Sequence, residues 1–184
     1  MRLTIKLFLY TCLLAGIAPL ALADKQEGKE CEKEYEKEYE VELAPLNNSG
    51  VYGEVEIKLI KGNTLVVSIE ASGLEVGKPH PQHIHGFNQP LKNATCPGFE
   101  LDSNGDGVLT IGEAVPAFGP ILLPLVPFDL VDDRGELEYR ASFTINPDSL
   151  QPLHKRAVVL HGMTVNGQYI PSLPVACGEI RLDD

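Results

Sequence analysis

The stretch Pro79-His80-Pro81-Gln82-His83-Ile84-His85-Gly86 carries three of the five histidines in 184 residues. His83 and His85 are two apart, and on a β-strand residues two apart point to the same face. Two imidazoles presented from one face form half of a metal site, and copper and zinc both favour nitrogen ligands. A hydrogen-bonded pair of strand histidines is the alternative for this segment alone, and the surrounding chain decides between the two.

Upstream, residues 51–60 alternate, with Val55, Ile57 and Leu59 set against Glu54, Glu56 and Lys58. That period of two marks a half-buried strand. Lys61-Gly62-Asn63 turns the chain, residues 65–69 return it, and Ser72-Gly73-Leu74 ends the return just before the histidines. Before this hairpin, Val41, Leu43 and Leu46 open the strand pattern and Asn47-Asn48-Ser49-Gly50 forms a turn. Downstream, strands are expected at 136–145, 156–161 and 175–182. Residues 87–133 show little strand signal and many Pro and Gly, and a connection that long inside a compact domain is usually functional. Short strands joined by turns predict an all-β fold, a sandwich or barrel of antiparallel strands.

Residues 1–23 read as a signal peptide. Arg2 and Lys6 precede an apolar run that ends in the small-x-small site Ala21-Leu22-Ala23. Cleavage there predicts a secreted or periplasmic protein. No later stretch is apolar enough to span a bilayer. Losing Arg2 and Lys6 takes the net charge from −11 to −13. Such an acidic chain argues against nucleic acid or an anionic membrane as partner and is compatible with cations. Residues 24–38 form a charged leader with little to bury, in which Glu-Lys-Glu-Tyr recurs, and 39–184 form the single domain. Of the four cysteines, Cys12 leaves with the signal. Two of the remaining three, Cys31, Cys96 and Cys177, are expected to pair in an oxidising compartment. Asn47-Asn48-Ser49 and Asn93-Ala94-Thr95 fit the N-glycosylation pattern.

Within the long connection, residues 102–113 match the twelve-residue EF-hand loop. Asp102, Asn104, Asp106 and Thr110 supply side-chain oxygens at positions 1, 3, 5 and 9, and Val108 its carbonyl at position 7. Glu113 is the bidentate ligand at position 12, and Gly107 permits the sharp turn at position 6. Calcium is a hard cation that takes several oxygens around one centre, and this spacing wraps them so. A polar Asp/Asn/Gly turn is the alternative. Pro97-Gly98 before the loop and Pro116 and Gly119-Pro120 after it leave no room for long flanking helices, so a lone loop that staples the connection is expected.

From about Val41 to Ile180 the chain resembles the copper/zinc superoxide dismutase family. The resemblance rests on Gly50-Val51-Tyr52-Gly53, on Gly73-Leu74 and on His80-x-x-His83-x-His85 followed by Phe87. It continues through Cys96, Arg156-x-x-x-x-His161 and Ala176-Cys177-Gly178-Glu179-Ile180. It implies a Greek-key β-sandwich or barrel of about eight antiparallel strands, with the calcium-loop connection added. It implies copper at His83, His85 and His161, a structural role for His80, and a Cys96–Cys177 disulfide. It also implies superoxide as substrate.

The departures from the family pattern bear on function. No histidine lies between His85 and His154, so the bridging ligand and the zinc-binding subloop are missing and no zinc is expected. Pro174 stands where the family's guidance arginine falls; Lys78 and Lys155 are the substitutes at hand. The expected cofactors are therefore copper and calcium. A copper protein with superoxide dismutation is one reading, and a non-enzymatic, calcium-stabilised binding or structural module is the other. A hydrolase is disfavoured, because G-x-S-x-G, H-E-x-x-H and a Gly-rich phosphate loop are all absent.

Overall fold

The computed structural model describes residues 35–61, 63–88 and 92–183. The expected signal peptide, most of the leader and Cys31 lie outside the described residues. Among the described residues the strands are β1 (Tyr35–Pro45), β2 (Tyr52–Ile60), β3 (Thr64–Ser72), β4 (Gln82–His85), β5 (Ile121–Pro124), β6 (Leu137–Thr144), β7 (Ala157–Val165), β8 (Gln168–Glu179) and β9 (Arg181–Leu182). Two helices, α1 (Ile111–Phe118) and α2 (Pro147–Leu150), lie in the connections.

Eight strands pair in the order β5-β4-β7-β8-β1-β2-β3-β6, with β9 added beside β1. Every pairing is antiparallel. β1 belongs to both halves: most of it pairs with β2, while Ala44 and Pro45 pair with Cys177 and Ala176 of β8. β3 neighbours β6, and β4 neighbours β7, so the chain crosses between the halves after β3, after β5 and after β6, in the manner of a Greek key.

The alternation read from the sequence sets the core. Val55, Ile57 and Leu59 of β2 face inward with Leu65, Val67 and Ile69 of β3. Ile84, Val158 and Leu160 close the same cluster from the second half. A smaller cluster covers the opposite face of the second half, where Leu109, Ala114 and Phe118 of the long connection pack on Ala157, Val159 and Cys177. The Cys96–Cys177 disulfide ties that connection to β8 across 81 residues of sequence.

Three elements differ from expectation. β1 starts at Tyr35, inside the expected leader. Its charges are carried by cross-strand pairing: Glu38 lies opposite Lys58, with Nζ 2.9 Å from the carboxylate. The strand expected at 175–182 begins earlier, as β8 at Gln168, because Asn166 and Gly167 (φ 52° and 80°) make a tight hairpin turn. The expected loop 87–133 contains both α1 and β5. Pro120 and Pro124 disguised β5, yet proline is tolerated at strand ends and on a sheet edge, which is where β5 sits.

Removing the bridge with Cys96→Ser/Cys177→Ser is expected to lower unfolding free energy by about 4 kcal/mol, the chain-entropy value for a loop of this length. Urea denaturation checks it, and a loss below about 1 kcal/mol contradicts it.

Candidate metal centre

β4 alternates as the H-x-H spacing demands. Ile84 is fully buried in the main core, which turns His83 and His85 to the opposite face. His83 pairs with Val159 of β7, and His161 lies two residues further along on the same face. The β7 ladder is irregular at His161. The next residue, Gly162, has φ 105°, and a Cβ there would overlap the Tyr169 hydroxyl and come within 3.1 Å of His80 Nδ1. Only glycine lets the strand pass here.

The three rings converge. One ligand atom from each of His83, His85 and His161 lies within 4.8 Å of the others. Among the described residues no other trio of His, Cys, Asp or Glu comes so close. His85 Nδ1 lies 2.9 Å from the Gly119 carbonyl, and His161 Nδ1 lies 3.0 Å from that of Ser172. A carbonyl only accepts, so each Nδ1 carries the hydrogen and each Nε2 of the neutral rings keeps its lone pair. Those two Nε2 atoms and His83 Nδ1 are buried with no hydrogen-bond partner.

An unpartnered buried nitrogen is costly, and three facing one another are costlier. Nitrogens bound to one ion at about 2.0–2.1 Å lie within about 4 Å of each other, so closing on a metal asks for shifts of about 1 Å or less. The residues present therefore fit a metal.

Burial also holds the rings neutral. Desolvation, aided by His85, pushes His83 down to about 4. Desolvation, aided by His83 and His85, pushes His161 down to about 3. Burial likewise lowers His85, against the raising effect of the Gly119 carbonyl. Neutral rings are the metal-binding form.

The long connection roofs the site. The Phe118 ring lies 4.4 Å from that of His85, and Gly119 caps α1 while accepting from the same histidine. Ile111, the first residue of α1, joins Pro81, Ile121 and Pro171 around a cavity of about 260 Å³ that His83 and His161 also line. α1 starts at Thr110 with a reciprocal capping box to Glu113. Hydrogen bonds led by the Thr110 hydroxyl hold the Glu113 carboxyl down to about 2.

Residues 103–107 of the loop are exposed, and the backbone around them is curled. Asp102 accepts from the Gly105 and Gly107 amides, and Asp106 from that of Val108. Its carboxylates are not drawn into one cluster as the histidines are.

Sequence reading took Asn47 for a turn residue and missed its role. Its carboxamide accepts from the Leu109 amide at 2.6 Å and donates to the carbonyls of Leu109 and Pro174 at 2.9 Å each. One side chain thus satisfies both backbone groups of Leu109, as a neighbouring strand would. Of the two residues that fit the glycosylation pattern, Asn47 is buried with its nitrogen engaged, and Asn93 is exposed.

Other expected residues lie apart from the cluster. Both His80 nitrogens sit at 3.0–3.1 Å from the carbonyls of His161 and Glu75. His154 is exposed in the 3-10 turn Leu153–Lys155. Pro174 is buried in β8. Lys78 sits over the Tyr169 ring, and neither it nor Lys155 lines the cavity.

No protein-family model matches the chain, and no curated protein matches it significantly in sequence. Among solved structures it is similar to superoxide dismutase 5 of Candida albicans in its Cu(II) form. Identity is 15% over 80% of this chain and 93% of that one, with a TM-score of 0.47. It is also similar to a superoxide dismutase-like protein of Bacillus subtilis, with 17% identity over 76% and 96% and a TM-score of 0.45. These are likenesses of fold. The chain's own Greek-key order, disulfide and three-histidine cluster fit the divergent copper/zinc superoxide dismutase-like fold read from the sequence.

Two outcomes are expected. Histidine in the unfolded chain titrates near 6.5. Between about 6.5 and about 4, unfolded metal-free protein takes up protons that folded His83 and His161 refuse, so stability falls as pH falls through that window and is flat above it. Melting curves of metal-free protein across the window check this, and His161→Gln should flatten part of the slope. Asn47→Ala leaves two buried Leu109 groups unsatisfied and should cost about 2–3 kcal/mol in urea denaturation.

Proposed function

We propose that this is an exported copper-binding protein that holds one copper through His83 Nδ1, His85 Nε2 and His161 Nε2. The observation that carries the reading is the trio of buried, unpartnered ring nitrogens facing one another. Copper is preferred to zinc, because Cu(II) heads the affinity order for nitrogen sites. The disulfide and the signal-like N-terminus support export to an oxidising compartment.

Residues 102–113 form a calcium site in this reading, with Asp102, Asn104, Asp106, the Val108 carbonyl, Thr110 and Glu113 as ligands. Its support is the match at every loop position together with the inward-curled backbone. Bound copper would supply redox cycling, and superoxide is the substrate that the family resemblance suggests. Among the described residues, none that lines the cavity beside the histidines carries a positive charge. Electrostatic steering raises on-rates by about 10–10³-fold, and without it dismutation should be slow and insensitive to salt.

The test is EPR of protein loaded with Cu(II). Nitrogen superhyperfine coupling is expected, and it should be lost in His83→Ala and His161→Ala; a wild type that takes up no copper overturns the reading. For calcium, ion at about 100 times its Kd should add about 2.7 kcal/mol and raise Tm by about 5–10 °C. Asp102→Ala and Glu113→Ala should abolish that rise; if they leave it intact, the loop is a turn.

A further inference from the structure

The cavity beside the histidines has walls of unusual chemistry for a redox-metal entrance. Pro81, Ile111, Ile121 and Pro171 line it with His83 and His161, and no lining residue carries a formal charge. Ser172 also lines it, but its carbonyl is already bonded to His161 Nδ1. Ile121, at the rim, is 51% exposed, an apolar side chain left in water beside the site. His161 is 2% exposed, and its Nε2 has no partner. The cavity thus shares His83 and His161 with the candidate metal centre, and the rest of its lining is almost wholly apolar.

These facts select the ligand. Three ring nitrogens leave Cu(II), which favours four or more donors, at least one short. A small anion filling that position would shed its water and find no cation in the walls in return. The net charge, −11 for the whole chain and −13 without residues 1–23, repels it further. A neutral ligand avoids both costs, and an apolar body gains by covering the prolines and isoleucines. At about 260 Å³ the cavity falls just below the roughly 300–1,000 Å³ range of drug-sized sites, which suits a molecule of one or two rings.

We propose that this cavity binds a small, neutral, apolar ring compound whose nitrogen donor completes the coordination of copper held by His83, His85 and His161. The inference rests on the copper reading above and specifies what that site receives. It assigns Pro81, Ile111, Ile121 and Pro171 to ligand selection.

The experiment titrates copper-loaded full-length mature protein with 4-phenylimidazole, imidazole and azide under neutral to mildly alkaline conditions. EPR and visible absorption report each ligand's arrival at copper. 4-Phenylimidazole should bind at least tenfold more tightly than imidazole, which carries the same donor without the apolar body, and azide should bind most weakly. Ile121→Asp and Pro171→Asp, on different strands, should each cut the preference for 4-phenylimidazole below threefold, so a fold defect in one leaves the other informative. Equal affinities for the two imidazoles, a preference unchanged in both variants, or tightest binding of azide would each overturn the proposal. Failure to take up copper overturns the copper reading and this inference with it, whereas copper uptake with equal affinities overturns the inference alone.

Discussion

The three-histidine cluster depends on the long connection lying against the outer face of the second half of the sheet. Two attachments hold it there: the Cys96–Cys177 bridge and the Asn47 carboxamide gripping Leu109. Leu109 and, beyond it, Ala114 and Phe118 supply the apolar surface that covers Ala157 and Val159. Without that cover His85 would face water, with neither the Phe118 ring nor the Gly119 carbonyl beside it.

Placing the histidines outside the main core has a chemical consequence. The inner face of a β-sandwich is filled by aliphatic side chains packed at high density, and it leaves no room for an ion or its ligands. The outer face, roofed by a connection, is dry enough to hold the rings neutral yet close enough to solvent for a cavity to open beside them. Backbone carbonyls from two different segments set the tautomers of His85 and His161 and leave the other nitrogen of each ring with its lone pair.

α1 links the two candidate metal sites. It begins at the last ligand positions of loop 102–113 and ends at the carbonyl that orients His85. Its first residue, Ile111, walls the cavity and its last, Phe118, packs on the histidine. Pro116 inside it removes one backbone hydrogen bond and keeps it short, so eight residues span the distance between loop and histidine.

Much of this was legible in the sequence. The period of two in residues 51–60 fixed which side chains are core, and the same rule put His83 and His85 on one face, because strand geometry is local. The family resemblance, carried by motif order, supplied His161 and the Cys96–Cys177 pairing. What the sequence could not show was set by contacts between distant residues. Asn47 reaches Leu109 62 positions away, and its turn-like setting hides that reach. The carbonyls of Gly119 and Ser172 orient two ligands, yet every residue has a carbonyl and no letter marks these two. β5 hid between prolines, and its pairing with β4 exists only once the edge is built. The sequence by itself determined most of the strands, the inward faces of the strongly alternating ones and the kinds of donor available, since these follow from local period and side-chain chemistry. Only the tertiary structure decided which donors meet, which nitrogen each ring offers and what walls the opening beside them, since those depend on packing between segments far apart in the chain.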